Sequence, residues 1–331
     1  LSMTALAVEH APSAELPMRY LAMVPVWGLF AAFLILHDGP TLFASRWALN
    51  TVALTHMITL GILGNAMLGS LLQFLPVAAG VRLAPANAVS VHLPIIFNLA
   101  LAGLLAGLLV WPWLMPWAGL LLVFSIAFHA TGCLLAIRFD GRKPLLRIGI
   151  ALMLVCLLLT AVLGLLLTLG FVGFVVIPMP LLTDIHAAIG LLGGVVLLCG
   201  CVGSVIMPML QGSTAVPDKL LRYWIVVLIG LLVSGIVLRS VNIIDGDGFV
   251  KLLVLPVAAF AIAIIFFQWR APHRRNRTLI GFWCLGAMSL LMAVVITLWL
   301  STPYNTLLAG VLAIGIGLPS LVLGMLLEIA P

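Results

Sequence analysis

Charge is what this chain has least of. Asp, Glu, Lys and Arg make up 7% of its 331 residues, and only nine of them are acidic. A water-solvated domain carries about 25% charged residues, so a soluble globule is excluded for most of this surface. The five cysteines (Cys133, Cys156, Cys199, Cys201 and Cys284) contain no Cys-x-x-Cys pair. All fall in strongly apolar stretches, which argues against a disulfide framework. Cys199 and Cys201 alternate faces on a helix, which argues against a shared metal. The short alternating segments of a transmembrane barrel are missing, and so are polar linkers that would divide the chain into domains. The opening residues lack a basic stretch followed by an apolar one, so they do not read as a cleavable signal.

What remains is hydrocarbon-soluble sequence. Hydrophobic residues make up 64%, in recurring runs of roughly 20 residues, the length that crosses a bilayer as a helix. The expected fold is all-α: a polytopic transmembrane bundle of about ten spans in one domain covering residues 1–331. The spans lie near 20–37, 47–76, 90–111, 117–138, 145–170, 183–208, 221–239, 249–269, 278–300 and 305–328. With an inside N-terminus, twelve of the fifteen basic residues fall on the inner side, leaving Arg46, Arg239 and Lys251 outside. That bias places both termini in the cytoplasm, of a bacterial inner membrane. It also accounts for the net charge of +6 without nucleic acid as a partner.

Two stretches repeat a frame. In "ALTHMITLGILGNAMLGSLLQFLPVAAG", His56 is followed by Gly61, Gly64 and Pro76. In "LLTDIHAAIGLLGGVVLLCGCVGSVIMPMLQG", His186 is followed by Gly190, Gly194 and Pro208. The histidines open the second and sixth spans, so a four-helix unit repeats (about 20–138 and about 145–269, with two further helices over 278–328). A shift of four helices preserves direction and gives a parallel repeat. At about 1.5 Å per residue, both imidazoles lie roughly two turns below the outer surface. Intramembrane histidines are functional by default, and neutral imidazole is a common axial ligand of haem iron. At about 100° per residue, Gly190 and Gly193 share the face of His186, where they would clear room for a macrocycle. The competing reading is that such glycines let helices pack closely.

Further candidates surround this pair. Arg46 and Arg239, the two outer arginines, suit haem propionates because a guanidinium matches a carboxylate; alternatively they are interfacial anchors. His92 and His129, toward the inner side on neighbouring spans, are candidates for a second haem, a metal or a proton path, or for structural hydrogen bonds. His37 reads as a wet loop residue, and His10 and His273 lie in polar segments. Met207-Pro208-Met209 offers soft donors for copper, although methionine commonly fills gaps. The "DGDG" at 245–248 lacks the remaining ligands of a calcium loop and reads as a turn.

The stretch "THMITLGILGNAMLGSLLQFLPVAAGVRL" resembles the second span of subunit I in the haem–copper oxidase and nitric oxide reductase superfamily. "DIHAAIGLLGG" is similar to the histidine–glycine segments of the NnrS family of haem- and copper-binding membrane proteins. The resemblance implies haem b at His56, a ligand role for His186, and respiratory electron transfer or nitric oxide- or oxygen-related redox chemistry. Respiratory-complex subunits or an external electron-transfer protein would be the partners, beside the lipid bilayer. The chain departs from the superfamily pattern in having no His-His pair in its seventh span, no histidine in its tenth and no tyrosine placed beside His186. A complete dioxygen-reducing centre is therefore not expected. The contrasting functions are a proton-coupled secondary transporter, which would favour charged pairs at the midplane, and a haem-free scaffold.

Overall fold

The computed structural model describes residues 12–81, 88–139, 143–271, 277–299 and 303–329. Among them there is no strand, and ten helices are long and apolar enough to cross a membrane. In chain order these spans are Glu15–Phe43, Leu49–Ala79, His92–Leu109, Pro112–Arg138, Pro144–Phe171, Met179–Leu210, Asp218–Ser240, Gly246–Trp269, Arg277–Trp299 and Asn305–Glu328. The expected all-α bundle is what the chain forms. Local chemistry sets several ends. Pro144 occupies the first turn of span 5, where its missing N–H costs nothing. The Asp245 side chain accepts from Gly248 N at 2.8 Å and caps span 8, so the "DGDG" segment is a helix cap. Gly80, at φ 65°, closes span 2 in the left-handed conformation that glycine tolerates best.

Spans 2, 6 and 10 each depart from regular α-helix at matching places. Met57–Gly64, Ile189–Val196 and Val311–Gly317 are π-helical, a wider winding that is rare and concentrates at functional sites. The first begins directly after His56 and the second three residues after His186. The widened turn leaves carbonyls short of partners, and in span 2 Asn65 meets one of them, donating from Nδ2 to Gly61 O at 2.8 Å. The third π segment extends the four-helix period to span 10, in a stretch with no histidine.

These spans meet in the largest core. Leu318, Leu321 and Met325 of span 10 pack in one cluster with Leu63 and Met67 of span 2 and Val195 and Leu198 of span 6. Apolar side chains gain little from leaving lipid, so helices here associate through close packing and polar contacts. Gly61 seats the Trp27 ring of span 1, where a Cβ would stand 2.6 Å from Cγ. Trp27 Nε1 donates to Asn98 Oδ1 at 2.6 Å, and Asn98 exchanges hydrogen bonds of 2.9 and 3.0 Å with Asn65. That buried network ties spans 1, 2 and 3. Trp111, Trp113, Trp117, Trp269 and Trp299 are exposed at or near span ends, as interfacial tryptophans are.

Candidate functional site

His56 and His186 come together. Their ring centroids are 6.3 Å apart and their planes lie within 26° of parallel. Each ring is fixed by one nitrogen: His56 Nδ1 lies 2.8 Å from Val52 O, one turn back on its own helix, and His186 Nδ1 lies 3.0 Å from Thr160 O of span 5. A carbonyl only accepts, so both Nδ1 atoms donate. In the neutral rings this leaves the Nε2 lone pairs as the available ligands. The arrangement is the one metal-binding histidines use, with a carbonyl fixing the tautomer and raising the basicity of the other nitrogen.

The separation can be checked against chemistry. Two metal–imidazole bonds of about 2.0 Å and two ring radii of about 1.15 Å, for a five-membered ring with bonds of about 1.35 Å, add to roughly 6.3 Å. That centroid spacing is the one two imidazoles on a single ion would have if each Nε2 lone pair faced it. Offset ring packing covers centroid distances of about 4.5–7 Å and accommodates the same figure; what ligation adds is a use for the two Nε2 atoms once each Nδ1 has its carbonyl. Among the described residues, no three His, Cys, Asp or Glu side chains are grouped as a metal site. A haem brings four nitrogens of its own and asks the protein for two ligands.

The glycines expected to clear a slot beside His186 are occupied by span 5. A Cβ on Gly190 would stand 2.9 Å from Thr160 Cγ2, and one on Gly193 2.6 Å from Cys156 Sγ. Their lack of side chains lets span 5 approach, and that approach brings Thr160 O to His186. Helix packing is the physical reason they do not form an open face. Gly164 of span 5 is the glycine that touches the imidazole: a Cβ there would lie 3.2 Å from His186 Cε1.

Arg46 and Arg239 also converge, on a residue not singled out in the sequence. Arg46 Nη2 is 3.4 Å from Asp184 Oδ1, and Arg239 Nη2 is 3.3 Å from Asp184 Oδ2. The Asp184 carboxylate is 4% exposed, against 15% for the Arg239 side chain and 44% for Arg46. These pairs are longer than the 2.7–2.9 Å or so of tight charge-assisted bonds, and each guanidinium keeps donors to spare. The cluster is net positive, clasps neighbouring ends of spans 2, 6 and 7, and lies against Gly246 at the start of span 8. Asp184 precedes His186 by two residues, about 200° around a helix, so it faces away from the imidazole pair.

His92 and His129 differ in setting: His92 is exposed, whereas His129 is 5% exposed and packs edge-on to Tyr20 at 5.8 Å between centroids. His37, 70% exposed, pairs with Asp38 at 2.6 Å. Met207 is buried and Met209 is 40% exposed, so they do not present their thioethers to one ion. His10 and His273 lie outside the described residues. Two cavities lie elsewhere: a small apolar one of about 30 Å³ between spans 2, 6 and 10, and a groove of about 640 Å³ between spans 1 and 3. The imidazole pair is defined by its donors and spacing instead.

Comparison of the chain with family models, curated proteins and solved structures returns no match. The site therefore rests on its own geometry.

Proposed function

We propose that this is a haem-binding integral membrane protein in which His56 and His186 are the axial ligands of one b-type haem near the outer side. The observation that carries the reading is the near-parallel imidazole pair at 6.3 Å, with each Nδ1 committed to a backbone carbonyl. When bound, the haem supplies one-electron chemistry. The chain's own residues hold and tune it. Val52 O and Thr160 O hold the proton on Nδ1 and so leave Nε2 to a ligand, and Gly164 leaves room for the His186 ring. The excess positive charge of Arg46 and Arg239 over Asp184 favours the reduced state. Arg46, with its half-exposed side chain, retains donors for a propionate.

If His56 and His186 both hold the haem iron, electron transfer fits better than reduction of a bound gas. This reading keeps the similarity to subunit I of the oxidase and nitric oxide reductase superfamily at the level of which helices carry ligands. It places the protein in the bacterial inner membrane with both termini cytoplasmic, beside a respiratory partner or an external electron-transfer protein. The test is the absorption spectrum of protein purified after haem-replete expression, before and after dithionite. One haem per chain with a sharp reduced α-band is expected. Protein that carries no haem would hand the histidine pair to proton coupling in a transporter.

A further inference from the structure

A buried imidazole and a buried thiol stand four residues apart on span 4, separate from the His56–His186 pair. His129 sits on span 4, 5% exposed, and its Nε2 is buried with no hydrogen-bond partner. Cys133, 3% exposed, follows it by four residues. Residues at that spacing stand on one helix face with Cβ atoms about 5–6 Å apart, which is the spacing by which a single helix presents two ligands to a metal. Tyr20 of span 1, 1% exposed, closes the site: its ring meets His129 edge-on at 89°. It is held in turn by Phe97 of span 3 at 6.3 Å and by the backbone of span 2 at Gly69.

Edge-on aromatic packing alone would be served as well by phenylalanine at 129. A histidine there buries a nitrogen and gets no hydrogen bond in exchange, which natural interiors rarely accept without a reason. Thiol and imidazole together define a ligand class. A thiolate selects soft and borderline cations, and imidazole suits copper and zinc. Hard cations such as magnesium and calcium prefer oxygen.

We propose that His129 and Cys133 bind one thiophilic cation, Cu⁺ or Zn²⁺, inside the membrane domain. The thiol loses its proton on binding: the S–H bond breaks, a sulfur–metal bond forms, and one proton is released per ion bound. With Cu⁺ the thiolate leaves the site neutral, which suits a dry interior where an unpaired charge is costly.

The test titrates purified, metal-stripped full-length protein with Cu⁺ under anaerobic reducing conditions and, separately, with Zn²⁺. It compares wild type with Cys133→Ser and His129→Gln. Each variant should bind one equivalent fewer of the same ion than wild type. Because the readout is a difference, it does not depend on what His56 and His186 hold. X-ray absorption of the loaded wild type needs no variant and should show sulfur and imidazole bound to one ion. Equal stoichiometry in all three proteins for both ions would overturn the proposal. If the variants do not fold, a metal shell of oxygen and nitrogen without sulfur in the wild type would overturn it instead.

Discussion

Replacing Gly190 by alanine tests whether span 5 builds the histidine site. The new methyl group would meet Thr160 Cγ2 at 2.9 Å, well inside ordinary carbon contact, so span 5 has to retreat by a large part of an ångström. Overpacking of this kind costs about 1–3 kcal/mol. The residue that must move is the one whose carbonyl holds His186 Nδ1 at 3.0 Å. If all the strain reached the imidazole, haem affinity would fall about tenfold for each 1.4 kcal/mol. Thr160→Ser offers a rescue. It deletes the methyl group that clashes and keeps the hydroxyl, which donates to Cys156 O at 2.8 Å. The assay is haem retention and detergent-unfolding midpoint for wild type, both single variants and the double variant. The double variant should recover most of the loss, with a coupling of about 1–2 kcal/mol, within the range for residues in contact. Strictly additive effects would refute the reasoning, because Gly190 would then be answering to something other than Thr160.

Other outcomes follow from the same geometry. Asp184→Ala strands two arginines at a carboxylate that is 4% exposed, so it should cost about 3 kcal/mol, as breaking a buried ion pair does. Arg46→Gln, at a side chain 44% exposed, should cost under about 1 kcal/mol; unfolding midpoints that reverse this order would contradict the clasp. Asn98→Leu removes the partner of Trp27 Nε1 and Asn65 and should destabilise by at least about 2 kcal/mol, since buried unpaired groups are costly. An unchanged midpoint would show that spans 1 to 3 do not depend on that network. Reporter fusions at 140–143 should behave as cytoplasmic and those near Asp245 as external; the reverse pattern would invert the proposed topology.

The spans and the His56–His186 frame were legible because apolar run length and a repeated histidine survive in one dimension. The π segments were not, since a shift in hydrogen-bond partner leaves no mark in composition. The span 10 copy was harder still, because Val311–Gly317 follows no histidine that would draw the eye. A helical wheel put Gly190 and Gly193 on the His186 face correctly but could not say what stood opposite, and Thr160 and Cys156 do. Asp184 was visible in "LLTDIH" as an acid in an apolar run. Nothing local marks its role, because its significance depends on Arg46 and Arg239, which are 138 and 55 residues away. That His92 is exposed and His129 buried was not legible, because adjacency sets depth along a helix and not its rotation.

The central claim is that His56 and His186 are the two axial ligands of one haem, and ligand replacement read by spectroscopy tests it most directly. Six-coordinate bis-histidine iron should be low-spin in wild type, with a sharp reduced α-band and little reaction with carbon monoxide. His56→Ala and His186→Ala should each lose the haem or leave it high-spin and reactive toward carbon monoxide. An unaltered low-spin spectrum in both variants would place the ligands elsewhere and contradict the account.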